Sequence, residues 1–215
     1  MKRTILTITV AGLMLLVGST ALAGIDPIVF QAGGGRLAAL QQDDGGWDWP
    51  LDDGDPNNPS PVNTIGPIAM GLAKAYRETG DAAMLATLGK AGLLLAGKTN
   101  NFSPSDGYLA AELDAIFGGT AYVGHVTTNF YDQLAAGTYD RNGAGTLYDT
   151  AGYVAMIDTG RAGQGIANLA AWDIGMGLVG AQAAGADTTA WIAGTKAEID
   201  QLAGGASYDV IGLTG

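Results

Sequence analysis

The chain has 215 residues, a formal charge of −11 and no cysteine. Disulfide bracing and thiolate-held metal are excluded by composition. So is a nucleic-acid partner, because the eight Lys and Arg after residue 23 are scattered and form no phosphate-binding cluster. The acidic side chains are 18 Asp against three Glu, a bias that puts negative charge at caps, turns and loops rather than in helix interiors.

In chain order, residues 1–23 carry Lys2 and Arg3, an apolar run from Ile5 to Val17 and the small-residue stretch Ala21-Leu22-Ala23. This is the pattern of a secretory signal peptide, so the mature protein is expected over 24–215, secreted or periplasmic. No later stretch has the ~18 uninterrupted apolar residues of a membrane span. The remainder is long enough for one core and one domain. Its apolar spacing is helical almost throughout and predicts an all-α fold. Helices are expected over 28–41, 64–79, 81–98, 106–117, 119–136, 147–159, 165–184 and 187–203, with another beginning near 207. Asp81 and Asp187 are positioned as N-caps, Gly80 as a tight turn, and Gly118-Gly119 and Gly204-Gly205 as helix stops. Short connections imply antiparallel hairpins.

A shift of 106 residues aligns Ile65–Lys90 with Ala171–Lys196. Ile68, Met70, Gly71, Leu72, Ala75, Asp81 and Lys90 meet identical residues at 174, 176, 177, 178, 181, 187 and 196. The reading is a repeated helical hairpin, and the alternative is bias in an Ala- and Gly-rich chain. Gly71 and Gly177 fall inside predicted helices, where Gly costs up to ~1 kcal/mol against Ala, so close helix packing is expected at both. The terminal Tyr208-Asp209-Val210-Ile211-Gly212-Leu213 reads as the first turns of a further helix. That makes the chain an incomplete piece of a longer reading frame, or one whose last hairpin another molecule completes.

Between the first two predicted helices, Gln41-Gln42-Asp43-Asp44-Gly45-Gly46-Trp47 fits Q-x(2 to 5)-G-x-W, preceded by Arg36 and Leu40. This resembles the QW repeat of squalene-hopene and oxidosqualene cyclases and, more broadly, the terpenoid-cyclase and protein-prenyltransferase α/α-toroid superfamily. The resemblance implies an α/α-toroid of helical hairpins, incomplete in this chain, in which the Gln amide ties helix ends and the Trp stacks beside it. The cyclase acid motif D-x-D-D is not matched by Asp52-Asp53-Gly54-Asp55, and the absence of Cys removes the prenyltransferase zinc set and the complement-type thioester. What remains resembles secreted bacterial toroids of the pectate-lyase and six-hairpin glycosidase groups, whose inner helix ends line a polysaccharide cleft.

Six aromatic–Asp pairs run along the chain: Trp47-Asp48, Tyr131-Asp132, Tyr139-Asp140, Tyr148-Asp149, Trp172-Asp173 and Tyr208-Asp209. Random order gives about one such pair. A sugar ring stacks its C–H face on an aromatic while its hydroxyls donate to a carboxylate. The alternative is a core aromatic followed by a helix-starting Asp. The candidate catalytic residues are Asp173, Asp132 and His125, and the candidate substrate-binding residues are Trp172, Tyr131, Tyr208, Asp209 and Tyr122. His125 is the only histidine and shares a predicted helix face with Tyr122, Asn129 and Asp132, a stripe suited to general-base work or to plain solvent exposure. For a lyase, Arg141 or Arg161 supplies a cation for a uronate, and spacing selects neither. The acidic loop holds Asp53, Asp55 and Asn57 at EF-hand-like spacing, but Asn58 and Thr64 occupy the Gly and Glu positions of that loop. A non-EF Ca²⁺ site stands there as the cofactor expectation, against a solvated acidic loop.

Together these features point to a secreted toroid with an acidic, aromatic-lined cleft for a carbohydrate or other small polar ligand, with polysaccharide lyase or glycoside hydrolase activity as the enzymatic form. A non-catalytic helical-repeat module of the cell envelope or exterior is the alternative, and a terpene-cyclase-like protein lacking the acid motif is third.

Overall fold

The computed structural model describes residues 26–49, 59–162 and 167–204, and these residues are mainly helical, as the periodicity requires. Helix α1 (Pro27–Ala39) starts on Asp26, whose carboxylate accepts from the Ile28 N–H at 2.9 Å, with Pro27 at the first helical position. Helices α2 (Ile65–Thr79) and α3 (Ala82–Gly97) form a hairpin. Gly80 closes α2 at φ 67° and Asp81 opens α3 by accepting from Ala83 and Met84 N–H. Helix α4 (Asp106–Phe117) ends at Gly118 and Gly119, both at positive φ. The next rod is α5 (Ala121–Val126), a π-helical turn (Thr127–Tyr131) and α6 (Asp132–Ala135). Then come α7 (Thr150–Ala162), α8 (Ala167–Ala183) and α9 (Thr189–Gly204). Asp187 begins α9 by accepting from Thr189 N and Oγ1. Among the described residues no helix is long and apolar enough to cross a membrane.

Two expectations needed correction. The segment predicted to start a helix at 147 instead contains a short antiparallel hairpin, β1 (Tyr139–Asp140) and β2 (Leu147–Tyr148), with Tyr139 opposite Tyr148. Its connecting loop puts Asn142, Gly143 and Gly145 at positive φ, and Asp140 Oδ2 accepts from the Gly145 N–H at 2.9 Å. Helix α7 therefore starts three residues later, on Asp149, whose Oδ1 takes the Gly152 N–H at 2.7 Å. The second correction concerns the repeat. A Cβ on Gly177 would overlap the Trp191 indole, so close packing explains that glycine, whereas a Cβ on exposed Gly71 meets nothing within 4 Å. The hairpin turns and caps recur at a spacing of 106, but α2 and α8 present different faces to their neighbours.

The helices form two layers. Helix α4 packs between α2 and α8, while α1 and α3, the α5–α6 rod, and α7 and α9 lie against them on the outside. Helices α2 and α4 run parallel. Ser105, just ahead of α4, sits on Gly66 at the start of α2, and Arg77 near the end of α2 pairs with Glu112 late in α4 at 2.7 Å. The start of α4 also meets the last turns of α8, where Gly107 abuts the Gly180 carbonyl. The core between the layers is strongly aromatic: Phe130 lies 5.6, 5.0 and 5.2 Å from the rings of Phe102, Tyr139 and Tyr153, and Trp191 lies 6.0 Å from Tyr153. Those contacts lock rod, hairpin, α7 and α9 together.

The Gln-Trp segment acts as a tie. Trp47 is fully buried and its indole N–H donates to the Leu37 carbonyl of α1 at 2.8 Å, while the Gln41 amide donates to the Gly45 and Thr87 carbonyls, the latter in α3. Thr64 Oγ1, just ahead of α2, donates to the Trp47 carbonyl at 2.6 Å. Three helices are thus fastened at one loop. Asp44 is satisfied within that loop, accepting from Gly46 N, Ser60 N and Ser60 Oγ, each at 2.8 Å.

Candidate functional site

The parallel helices α2 and α4 bring their N-terminal ends to one side of the molecule, and a half-open cleft of about 220 Å³ lies there. Val62 and Asn63 reach it from ahead of α2, and Ser103 and Pro104 from ahead of α4. Asp173 enters from the second turn of α8. Arg141 comes from the hairpin, and α7 gives an apolar wall of Tyr153, Met156 and Ile157. The volume is small against the ~300–1,000 Å³ of sites that enclose drug-sized ligands, so it suits one small ring or one unit of a polymer.

The walls are fixed from beneath. Lys98 Nζ and Asp106 Oδ2 form a buried ion pair at 2.6 Å, and the same carboxylate oxygen accepts from the Ser103 N–H at 2.8 Å. Burial is the largest influence on Asp106 and raises its pKa, opposed by the Lys98 ammonium and the Ser103 N–H. Phe102 joins two tyrosines: its N–H donates to Tyr139 Oη and its carbonyl accepts from Tyr153 Oη, both at 2.8 Å. Burial pushes the Tyr139 phenol up to about 12 and that of Tyr153 well above its ordinary value. Both stay protonated at neutral pH and serve as struts, since the Tyr153 proton is committed to a backbone carbonyl.

Arg141 and Asp173 differ in their bonding. Asp173 is 4 % exposed and already engaged by a partner. The half-buried Arg141 donates from Nη1 to the Met156 thioether at 3.3 Å, a weak acceptor, and its Nε is buried with no acceptor among the described residues.

The other residues singled out from sequence are dispersed. Asp132 is exposed on the outer rod. His125 is half-buried on α5, with Nε2 2.8 Å from the Lys98 carbonyl and Nδ1 3.3 Å from Asn129 Nδ2, so both ring nitrogens are occupied by structure. The π-helical turn shifts the residues that follow it around the rod axis, which takes Asp132 out of the stripe expected with His125. Tyr122 is half-buried, its hydroxyl packed over Gly92. Tyr131 is buried, its hydroxyl wedged between Gly107 and Gly180 without a hydrogen-bond partner among the described residues, and the pKa of its phenol is raised by burial and by Asp106. Trp172 is half-buried on α8 and is not among the described cleft walls. Tyr208 and Asp209, and the calcium candidates Asp53, Asp55 and Asn57, lie outside the described residues. No cluster of three or more His, Asp or Glu suited to a metal occurs among the described residues.

No family matches. Neither a protein-family model, nor a curated protein, nor a solved structure is significantly similar to the chain. Sequence reasoning did not name Tyr153, Ser103 or Met156, and it named Arg141 only beside Arg161, with spacing selecting neither, though one signal pointed toward Arg141. Asp140-Arg141-Asn142-Gly143 between two Tyr-Asp pairs is an Asn-Gly hairpin pattern, and a hairpin there carries Arg141 to the helix ends.

Proposed function

We propose that the chain is an α/α-toroid-type protein that binds carbohydrate in the cleft ahead of α2 and α4, beside Asp173 of α8. The toroid reading is supported by the parallel pair α2 and α4, each leading into an outer helix, α3 and α5. The observation that carries the carbohydrate reading is the meeting of Asp173, the Arg141 guanidinium and an apolar wall in one half-open space. A sugar presents both surfaces that such a site needs: hydroxyls that donate to a carboxylate and accept from a guanidinium, and C–H faces that pack on apolar side chains. Hydrolysis needs a pair of carboxyl groups flanking the bond, roughly 5 to 9.5 Å apart. Asp173 is the one carboxylate among the described walls, so binding is the activity proposed, and lyase or hydrolase turnover is an additional claim.

The experiment is an NMR titration of the 24–215 chain against a panel of mono- and oligosaccharides, with product analysis for turnover. Binding is expected to shift resonances of Tyr153, Met156 and Ser103 and to weaken in Asp173→Asn at similar Tm. A panel that leaves those resonances unmoved at millimolar concentration refutes the proposal. The envelope-module alternative has one observation in its favour, because most aromatic–Asp pairs serve as packing and caps. Trp47, Tyr131 and Tyr139 are buried, Asp149 caps α7, and Asp48 accepts from the Gln42 amide at 2.7 Å. On that reading Asp173→Asn lowers Tm and there is no saccharide binding to lose.

A further inference from the structure

The geometry points to a second binding site, on the opposite side of α7 from the cleft already described, for a small organic ammonium ion with an apolar body. It is independent of the carbohydrate reading, because the two clefts share no wall residue.

Helix α7 turns Tyr153, Met156, Ile157 and Gly160 to the first cleft. Ala151, Val154, Ala155 and Asp158 lie about half a turn away around the helix and face α9 across a groove of about 280 Å³. The groove has a clear origin in the residues that line it. A Cβ on Gly194 would overlap Val154 and press on Ile174, so this glycine lets α9 settle onto α7 and α8 and close the floor. Above that contact, alanines at 151 and 155 on α7 and at 190, 193 and 197 on α9 leave the gap between the helices unfilled. The volume lies just below the ~300 Å³ where drug-sized sites begin, which suits one ring or a short branched chain.

Asp158 and Glu198 are the charged side chains on these walls, and both are acidic. Glu198 is 4 % exposed, and its hydrogen-bond partner is the Asp158 carboxyl. Two carboxyls share a hydrogen bond only while one of them holds a proton, and burial followed by Asp158 accordingly raises the Glu198 carboxyl to about 7. The surroundings supply no cation among the described residues: α8 contributes Ile174 to the groove, and on α9 the neighbouring Lys196 is paired with Asp200. An ammonium ion takes the place of the shared proton and gives both carboxylates a donor. Hard metal ions take about six or more oxygen ligands, whereas these walls offer two carboxyls amid apolar side chains. An organic cation uses both surfaces, its charge on the carboxylates and its carbon body on the alanines.

The test is calorimetric titration of the 24–215 chain with 2-phenylethylammonium, its neutral analogue 2-phenylethanol, and methylammonium, with NMR to place the contacts. The aromatic amine should bind roughly 10- to 100-fold more tightly than the alcohol, the span of hydrogen bonds to a charged group. It should also bind more tightly than methylammonium, which lacks the apolar body. Its affinity should rise roughly 10-fold or more from pH 5 to pH 8, because it displaces the proton that the pair holds at the lower pH. Glu198→Gln should remove most of the preference and of the pH dependence. Ala197→Leu fills the groove while leaving both carboxyls in place, and should abolish binding. Ala197 is exposed, so that variant should keep the fold, and the Tm of each variant checks it. Equal affinity for amine and alcohol, binding that survives in Ala197→Leu, or resonance shifts at Ser103 and Met156 instead of Ala155 and Ala193 overturns the inference. So does absence of binding at millimolar concentration. A dimer of the chain that the amine leaves intact assigns the groove to a second copy and also overturns it. None of these outcomes bears on the carbohydrate reading, whose probes meet the other side of α7.

Discussion

Gly71 and Gly177 are the same residue in the 106-residue repeat, and alanine at the two positions should act in opposite directions. Gly71 is exposed in mid-α2 and a Cβ there meets nothing within 4 Å. Alanine then gains only the helix preference, about 0.5–1 kcal/mol. On α8 a Cβ at Gly177 overlaps three ring atoms of Trp191, and that indole is fully buried 6.0 Å from Tyr153. It has no free volume to swing into, so overpacking costs on the order of 1–3 kcal/mol. At roughly 2–4 °C per kcal/mol for a domain of this size, Gly71→Ala should raise Tm by about 1–4 °C and Gly177→Ala should lower it by about 2–12 °C. Urea unfolding and calorimetry of the 24–215 chain read both shifts. A double-mutant cycle isolates the cause, because Trp191→Leu removes the obstructing ring and Gly177→Ala should then cost less in that background. Shifts of the same sign at the two glycines, or a Gly177→Ala cost that Trp191→Leu leaves unchanged, refute the assignment of different faces to α2 and α8.

Three further outcomes are expected. Asp158 and Glu198 face each other between α7 and α9 with mostly alanine around them, and burial together with Asp158 raises the Glu198 carboxyl from about 4.5 to about 7. Folding therefore favours the protonated form: stability is full below the unfolded value and falls by on the order of 3 kcal/mol as pH rises from 4.5 through 7. Glu198→Gln should flatten that slope in urea midpoints taken at pH 5 and pH 8, and an unchanged slope rejects the assignment. Breaking the buried pair with Lys98→Met should cost about 3–5 kcal/mol, because Asp106 is left charged and buried, and Lys98→Met with Asp106→Leu should recover most of the loss. Equal losses in the single and double variants would show that the two side chains act independently. Tyr131→Phe deletes a buried hydroxyl that has no partner among the described residues, so its effect should be neutral or stabilising by up to ~1 kcal/mol. A loss above that would mean that the hydroxyl is bonded, Asp106 Oδ1 being the buried acceptor that also lacks a partner.

What could be read from the sequence was what neighbouring residues decide. Helix existence follows from apolar spacing, and the turns at Gly80 and Gly118 and the caps at Asp81 and Asp187 are local chemistry, so they appear where expected. The Gln-Trp tie was also legible, because its partners lie within a few residues or in the adjacent hairpin. Two errors came from local signals read with the wrong period. The Asn-Gly turn at 142–143 lay between two predicted helices but was not read as a hairpin, so residues 147–149 were given to the following helix, and the π-helical turn at 127–131 broke the 3.6-residue phase that placed Asp132 beside His125.

The cleft depends on something else, the face each inner helix turns to its neighbours. That is set by glycines whose partners are distant in sequence: Gly107 and Gly180 admit the Tyr131 hydroxyl between α4 and α8, and Gly177 admits Trp191. The identity of Gly71 with Gly177 could not reveal this, since one glycine is open and the other is filled. An aromatic beside an Asp was likewise ambiguous until tertiary contacts assigned each partner. Of the pairs within the described residues, only Trp172-Asp173 brings its carboxylate to the cleft, where Asp173 shares the walls with Ser103 and Pro104. Arg141 reaches the same place from a hairpin that is 32 residues away in sequence, which is why spacing alone could not choose between Arg141 and Arg161.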